Sequence, residues 1–126
     1  KRLNYLNLKN INLEFIDWYE KMDQEILKTD IVIIPYINDY QRIVKSYNRI
    51  LDSINLGRFT IISNLGHLRK FEDYCFIGNI GQGLEWAKKN NSLAIEKVKK
   101  GLKFVQNNYD IATISKEWKK LIDQTL

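Results

Sequence analysis

The fold of this chain is decided by the stretch Val44-Lys-Ser-Tyr-Asn-Arg-Ile-Leu-Asp-Ser-Ile-Asn-Leu-Gly-Arg-Phe-Thr-Ile-Ile-Ser63. It predicts a loop, a helix over Lys45–Leu56 and then a strand. Large apolar side chains recur at the spacing of a helix with one buried face, at Tyr47, Ile50, Leu51 and Ile54. Gly57 follows at the point where helices commonly end on a left-handed residue. The run Phe59–Ser63 then predicts a short buried strand.

The start of this helix carries side chains that suit an anion. Free backbone N–H groups and the positive end of the helix dipole favour negative charge at a helix N-terminus. Cations placed there oppose the dipole, so their presence indicates a reason such as phosphate binding. We therefore predict a phosphate-binding site at Lys45, Ser46, Asn48 and Arg49. A helix cap is a second, compatible role for Ser46.

Elsewhere the chain alternates predicted strands with predicted helices. The predicted strands are Ile11–Ile16, Ile31–Ile34, Phe59–Ser63 and Tyr74–Ile77. The other predicted helices are Asp17–Lys28 with Trp18 facing inward, a short turn over Leu68–Asp73, Gly81–Asn90, a helix capped by Ser92, and Ile111–Asp123. Such alternation predicts a parallel sheet and an α/β fold, in which ligands bind at the carboxyl ends of the strands. The loops that leave those ends are Tyr36–Val44, Asn64–His67 and Gly78–Gly81.

The composition indicates one globular domain. The chain has 126 residues, of which 44% are apolar, and no apolar run is long enough for a transmembrane helix. Its single cysteine, Cys75, lies among apolar residues, which predicts a buried thiol in a reducing, cytoplasmic compartment. The net charge of +5 comes with 15 lysines against 5 arginines. We assign the lysines of 97–103 to a solvated helix face rather than to nucleic acid, because no exposed aromatic residues are interleaved with them.

Three segments together resemble the donor-binding half of GT-B glycosyltransferases of the group 1, or family 4, type. They are Asp30-Ile-Val-Ile-Ile-Pro-Tyr36, the Lys45-Ser-Tyr-Asn-Arg49 loop with its helix and strand, and Phe76-Ile-Gly-Asn-Ile-Gly-Gln-Gly-Leu-Glu-Trp86. The resemblance covers residues 11–122. It implies an α/β, Rossmann-like, three-layer α/β/α domain with a mostly parallel sheet, which is half of a GT-B fold. That half has more strands in the family than the four predicted here.

The resemblance also implies what the whole protein does. Residues 1–126 would form a single donor-binding domain cut from a larger two-domain enzyme, since the chain starts at Lys1 and its only methionine is Met22. That enzyme would transfer sugar from a nucleotide-diphosphate sugar to a glycan or lipid-linked acceptor held by a missing N-terminal domain. The expected setting is bacterial polysaccharide biosynthesis, in the cytoplasm or at the membrane periphery, with no cofactor. The isolated chain would bind donor weakly and catalyse nothing.

The resemblance gives roles to some of the candidate site residues but identifies no catalytic residue. Lys45 and Arg49 would neutralise the donor diphosphate, and Ser46 with the helix N–H groups would add hydrogen bonds. Asp52 stands where the family has an acidic residue that contacts ribose, although a plain solvent-facing role is equally open. The family's other acidic position is Val44 in this chain.

Other features leave alternatives open. His67 is either an incidental loop residue or a contact to phosphate or substrate. It has no second histidine or cysteine near it, and the chain has no D-x-D motif, so we expect no metal site and a metal-free mechanism. The alternative function is a non-catalytic α/β module that binds a phosphorylated ligand or a protein partner. Trp118 is expected to leave an apolar patch exposed on the last helix, and therefore to promote self-association.

Overall fold

A computed structural model describes residues 12–37 and 46–125 of the chain. The described residues form helices and a three-stranded parallel sheet, so the expected α/β class is confirmed. In chain order the elements are α1 (Met22–Leu27), β1 (Ile31–Ile34), α2 (Asn48–Asn55), β2 (Phe59–Ile62), a 3-10 helix (Gly66–Phe71), β3 (Phe76–Ile77), α3 (Ile80–Lys89), α4 (Asn91–Tyr109) and α5 (Ile111–Thr125).

The sheet has the strand order β1-β2-β3, with each neighbouring pair parallel. Ile31 of β1 lies opposite Phe59 of β2, and Ile61 of β2 lies opposite Phe76 of β3. All four residues of β2 are buried. A central parallel strand covered on both faces needs apolar or satisfied side chains at every position, which explains its sequence Phe-Thr-Ile-Ile.

One face of the sheet packs against α2. Ile34 and Ile62 belong to the same buried cluster as Ile50 and Ile54 of α2, together with Phe71 of the 3-10 helix. The helical spacing of the two α2 isoleucines places both on the face that meets the strands. Gly57 ends the α2 turn with a φ of +68°, the left-handed conformation that glycine adopts without strain. The helix, turn and strand predicted for this stretch are therefore present, although the helix begins at Asn48, later than the predicted Lys45, and the strand ends at Ile62.

The opposite face of β2 packs against α3. Phe59 and Ile61 form a second buried cluster with Ala87 and with Ala94 from the start of α4. Gly83 allows α3 to approach closely, because a Cβ there would lie 2.7 Å from Cγ2 of Ile61. Since side chains alternate along a strand, α2 and α3 take opposite faces of β2. β1 is less completely covered among the described residues, since Ile33 is 41% exposed.

Several predicted elements differ from the structure. Residues 12–19 form no regular element, so the strand Ile11–Ile16 is wrong over its described part. A strand requires a neighbour, and β1 pairs with β2 alone among the described residues. Trp18 was expected to face inward but is 81% exposed, because α1 begins only at Met22. Asn90, not Ser92, occupies the cap position of α4.

The remaining differences are in element ends. β3 is the pair Phe76–Ile77 rather than a strand from Tyr74, because Tyr74 belongs to the turn that closes the 3-10 helix. That 3-10 helix begins at Gly66, two residues before the predicted turn. The last helix runs to Thr125, and Trp118 on it is 63% exposed, as expected. No helix within the described ranges has the length and apolar character needed to cross a membrane.

Candidate functional site at the carboxyl edge of the sheet

The carboxyl ends of the three strands are joined by hydrogen bonds that run across the sheet. The Ser63 amide donates to the Ile34 carbonyl oxygen at 3.3 Å, and the Gly78 amide donates to the Ile62 carbonyl oxygen at 2.9 Å. The Tyr36 amide donates to Oγ of Ser63 at 3.1 Å. These bonds fix the three loop starts side by side, at the edge where α/β proteins bind ligands.

The N-terminus of α2 lies at this same edge, because α2 runs antiparallel to the strand β2 that follows it. Tyr47 is the cap residue, and its side chain makes no capping hydrogen bond. Ser46 precedes the cap position, so the predicted capping role of Ser46 is wrong: the helix starts one residue too late for its hydroxyl to serve as the cap. The first turn holds no acidic residue. Its amide groups therefore favour an external anion.

The predicted phosphate-binding residues are exposed at this helix start where the structure describes them. Ser46, Asn48 and Arg49 are all exposed around the first turn of α2. Lys45 lies outside the described residues, so its predicted role stays a prediction. The other three lie around the helix start, with Ser46 before the cap residue Tyr47, Asn48 first in the helix and Arg49 second.

A cation that the sequence analysis missed lies beside this helix start. The Nζ atom of Lys70, from the 3-10 helix, is 3.5 Å from the centroid of the Tyr47 ring and 5.1 Å from that of Phe71. A cation over an aromatic face is attracted by the ring's electrons. Lys70 is thereby held next to the cap residue of α2, from a different element than Arg49.

Tyr47 is also joined to the end of α4. Hydrogen bonds from Lys70 first and from Tyr109 second hold the pKa of the Tyr47 hydroxyl below its ordinary value. Burial raises the pKa of Tyr109, and its hydrogen bond to Tyr47 raises it further. In this pair the hydroxyl beside the lysine is the more acidic one, because the lysine stabilises its anion. Lys70, Tyr47 and Tyr109 therefore form one polar cluster at the site.

The sequence contained only a weak signal for this cluster. Tyr47 fits the apolar stripe of α2 by spacing, and this pattern indicates a core residue rather than a site residue. Lys70 lies in a 3-10 helix, whose side chains recur every three residues rather than in the α-helical pattern. The one available signal for Lys70 is its position in the chain, because the 3-10 helix directly follows the loop that leaves β2.

The two remaining candidates lie in different surroundings. His67 is exposed at the second position of the 3-10 helix, close in sequence to the end of β2. Asp52 lies one turn further along α2 than Asn48 and lines a cavity of about 330 Å³ between α2 and α1, beside Met22 and Asp23. The structure therefore places Asp52 towards α1 and away from the first turn of its helix. Its ribose contact and the His67 contact stay predictions.

The third loop at this edge starts α3. The Oδ1 atom of Asn79 accepts a hydrogen bond from the Gln82 amide at 3.1 Å, so Asn79 caps the helix. This cap satisfies one of the free amide groups that α3 would otherwise offer. The start of α3 is therefore less available to an anion than the start of α2.

Cys75 is not a candidate nucleophile. The side chain is buried, and its Sγ atom donates to the Phe71 carbonyl oxygen at 3.0 Å. Burial raises the pKa of the thiol to about 12. The thiolate, which is the reactive form, is therefore absent near neutral pH. The predicted assignment of Cys75 to the core is confirmed.

A second polar cavity lies against β3. It has a volume of about 360 Å³ and is lined by Arg69, Glu72, Trp86 and Lys97 among others. Lys97 donates a hydrogen bond through Nζ to the Glu72 carbonyl oxygen, so this cation is already engaged. Across residues 12–37 and 46–125, no three His, Cys, Asp or Glu side chains come together in a way that could hold a metal ion.

Comparisons with known proteins identified no relative of this chain. No protein-family model, curated protein or solved structure was found to match this chain at a significant level. The likeness to GT-B glycosyltransferases therefore rests on the residues of the sequence alone, and the site is defined by its own geometry.

Proposed function

We propose that this chain is the nucleotide-sugar-binding half of a GT-B glycosyltransferase, and that it holds the diphosphate of the donor at the start of α2. The observation that carries the proposal is an α-helix N-terminus at the carboxyl edge of a parallel sheet, with Arg49 in its first turn and Lys70 over the ring of its cap residue, Tyr47. Helix amides and cations are the groups that proteins use to hold phosphates. The transfer itself would require the acceptor-binding half.

The architecture gives independent support. Helices α2 and α3 pack on opposite faces of β2, which is what a three-layer α/β/α domain requires. Among the described residues β1 pairs with β2 alone, and its other edge is where a larger sheet of the Rossmann type would continue. The exposed Ile33 on that strand is an unusual surface residue unless more protein covers it.

The proposed chemistry is electrostatic. As the bond between sugar and nucleotide diphosphate breaks, negative charge accumulates on the departing diphosphate. Arg49, Lys70 and Lys45 would neutralise that charge, and the Ser46 hydroxyl and the free amides of α2 would donate hydrogen bonds to it. Asp52 would accept hydrogen bonds from the ribose, provided that the ribose reaches one turn along α2.

Calorimetric titration with UDP and GDP tests this proposal. Arg49→Ala, Lys70→Ala and Lys45→Ala should each weaken nucleotide-diphosphate binding by roughly tenfold or more, because each removes a charge-assisted contact. Lys103→Ala is the matched control, since Lys103 is an exposed lysine on α4 that is not one of the proposed site residues. Unchanged affinity in the three site variants would remove the phosphate-binding role.

The same titration separates the donor-binding function from its alternative. A glycosyltransferase half should prefer a nucleoside diphosphate to inorganic phosphate, because base and ribose add contacts. A module that binds a phosphorylated ligand or a protein partner would show no such preference. Equal affinity for UDP, GDP and inorganic phosphate would therefore support the non-catalytic module.

A further inference from the structure

A large apolar cavity lies at the opposite, amino edge of the sheet. It is an open groove of about 600 Å³ between α3, α4 and the starts of β1 and β2. Its floor and walls are apolar, from Ile31, Phe59, Leu84, Ala94, Ile95 and Val98. A groove of this volume accommodates one or two large side chains of a partner.

The rim of the groove carries positive charge. Lys88 of α3 and Lys99 of α4 line it, and Asp30 is the one acidic side chain among the lining residues. In the groove, Leu84 and Ile95 are 40% and 48% exposed. The surface is therefore apolar in its centre and mostly basic at its border, which is the layout of a protein-binding site.

A segment of the same chain has the complementary character. Residues 12–20, Asn-Leu-Glu-Phe-Ile-Asp-Trp-Tyr-Glu, form no regular element and are exposed throughout. Phe15 is 73% exposed and Trp18 is 81% exposed. Acidic side chains recur at every third position, at Glu14, Asp17 and Glu20, with large apolar residues between them. Such a cluster of exposed aromatic residues marks an interaction site.

The segment does not cover the groove of its own chain, because both surfaces are exposed in one molecule. The backbone that follows α1 is held in place, since Nη1 of Arg58 donates to the Thr29 carbonyl oxygen at 2.9 Å.

The groove and segment 12–20 match in both respects that matter for binding. The apolar centre meets aromatic side chains, and the basic rim meets acidic residues.

We propose that the groove of one copy of this chain binds segment 12–20 of a second copy, with the exchange made in both directions. Phe15 and Trp18 enter the apolar groove, and Glu14 and Asp17 lie near Lys88 and Lys99. A reciprocal exchange forms a two-fold dimer in which each contact occurs twice and no binding surface is left open. This inference stands independently of the donor-binding proposal, because it uses the opposite edge of the sheet.

The oligomeric state of the full chain tests the proposal, measured by sedimentation equilibrium. The wild type should be a dimer, and Trp18→Ser should weaken the dimer by roughly tenfold or more, the effect of removing one buried aromatic anchor. Trp118→Ser separates this contact from the exposed stripe of α5, the other surface expected to promote self-association. A monomeric wild type overturns the proposal, and so does a dimer that responds to the Trp118 variant alone.

A second pair of variants tests the groove itself. Ile95→Glu places a charge inside the groove and should dissociate the dimer, whereas Leu93→Glu should not. Leu93 is on the same helix and is 51% exposed, but it is not part of the groove lining. Because both positions are exposed, neither change should disturb the fold, and circular dichroism checks that. Equal effects of the two variants would contradict the assigned groove.

Charge reversal tests the partner assignment. Lys99→Glu should weaken the dimer through repulsion from the acidic segment, and the added change Asp17→Lys should restore it. A fluorescent peptide of residues 12–20 should bind the Trp18→Ser protein, whose groove is vacated, and should bind Ile95→Glu at least tenfold more weakly. Failure of both the rescue and the peptide binding would contradict segment 12–20 as the partner of this groove.

Discussion

Two hydroxyl side chains are buried between α2 and β2. The Oγ atoms of Ser53 and Thr60 are 2.6 Å apart, and both residues are buried. Thr60 also donates to the Arg58 carbonyl oxygen at 3.2 Å, so its proton is used there. Ser53 is therefore the donor in the pair, and Thr60 accepts from it.

Thr60→Val should destabilise the fold because it removes the acceptor and leaves the buried Ser53 hydroxyl without a partner. The expected loss in the free energy of unfolding is about 1–3 kcal/mol, the cost of a buried unsatisfied polar group. Urea denaturation measures it. The double variant Ser53→Ala with Thr60→Val removes both groups and should recover most of the loss. A double variant that is less stable than the sum of the single ones would contradict this account.

Single residues also show which parts of the site could be read from the sequence. Ser46, Asn48 and Arg49 were predictable because their positions follow from the start of one helix. Lys70 and Tyr109 were not, because each comes from a different element and meets Tyr47 only in three dimensions. Contacts between residues far apart in the chain leave no local spacing to detect.

The approach of α4 to α2 depends on Gly101. A Cβ at that position would lie 2.7 Å from Cγ2 of Ile54 and 3.3 Å from Cβ of Tyr74. Ile54 is buried, so it has little room to move. The helix geometry here is therefore set by a close contact between two elements, and the glycine is required for it.

Gly101→Ala should have two opposing effects on the free energy of unfolding. Alanine favours a helix over glycine by about 1 kcal/mol, but overpacking a core costs about 1–3 kcal/mol. We expect the clash to prevail, with a net loss in the free energy of unfolding of about 1–2 kcal/mol. Gly66→Ala is the matched control, because a Cβ there meets nothing within 4 Å. Thermal denaturation of both variants checks this, and a stabilised Gly101→Ala would contradict it.

The start of α5 depends on a capping carboxylate. The Thr113 amide donates to Oδ1 of Asp110 at 2.6 Å. Hydrogen bonds from the Thr113 side chain and backbone lower the pKa of Asp110 from its ordinary value of 3.8. A carboxyl whose folded-state pKa is depressed stabilises the helix above its ordinary pKa. That contribution is lost as the pH falls through the lower, folded value.

Asp110→Ala should therefore unwind the first turn of α5 at neutral pH, because no side chain then caps it. In the wild type the same turn should unwind only on acidification to below pH 3.8, the ordinary pKa of the group. The Cα chemical shifts of residues 111–114 report both effects. Asp110→Asn keeps a capping oxygen without the titration, so it should hold the turn at all pH values. A turn that is insensitive both to Asp110→Ala and to acidification of the wild type would show that the cap is unimportant.

Elements with strong local patterns could be predicted, and those that need partners could not. The helices α2 to α5 and the strands β1 and β2 follow from apolar periodicity, glycine stops and runs of β-branched residues. The segment 12–16 has the alternation of a strand but finds no neighbour among the described residues. A helix satisfies its own backbone, whereas a strand depends on another strand, and this explains the difference.

Several large apolar side chains are exposed on the described part of the molecule. The stripe on α5 consists of Ile111, Ile114, Trp118, Leu121 and Ile122. It adds to the exposed Ile33 of β1 and to the aromatic segment 12–20. Surfaces of this kind mark contacts with other protein. They are consistent with a unit that works as part of a larger assembly, as the donor-binding proposal requires.

The side chains around the start of α2 bear on whether the proposed site uses a metal ion. The described side chains around the start of α2 are Arg49, Lys70 and polar groups, without a cluster of carboxylates. Metal-assisted diphosphate binding needs carboxylate or imidazole ligands to hold the ion. In the proposed site, cations would contact the phosphates directly and supply that neutralising charge, so no divalent ion would be required.

Nucleotide-diphosphate binding should therefore be independent of divalent metal. We expect the affinity for UDP or GDP, measured by calorimetry, to be the same in EDTA as in buffer containing magnesium or manganese. Arg49→Ala should weaken binding equally in both conditions, because the arginine and not a metal supplies the charge. A separate titration of metal into UDP corrects for the complex that the two form in solution. Loss of binding in EDTA that is restored by either metal would contradict the cationic site, since a metal would then carry the charge assigned to Arg49 and Lys70.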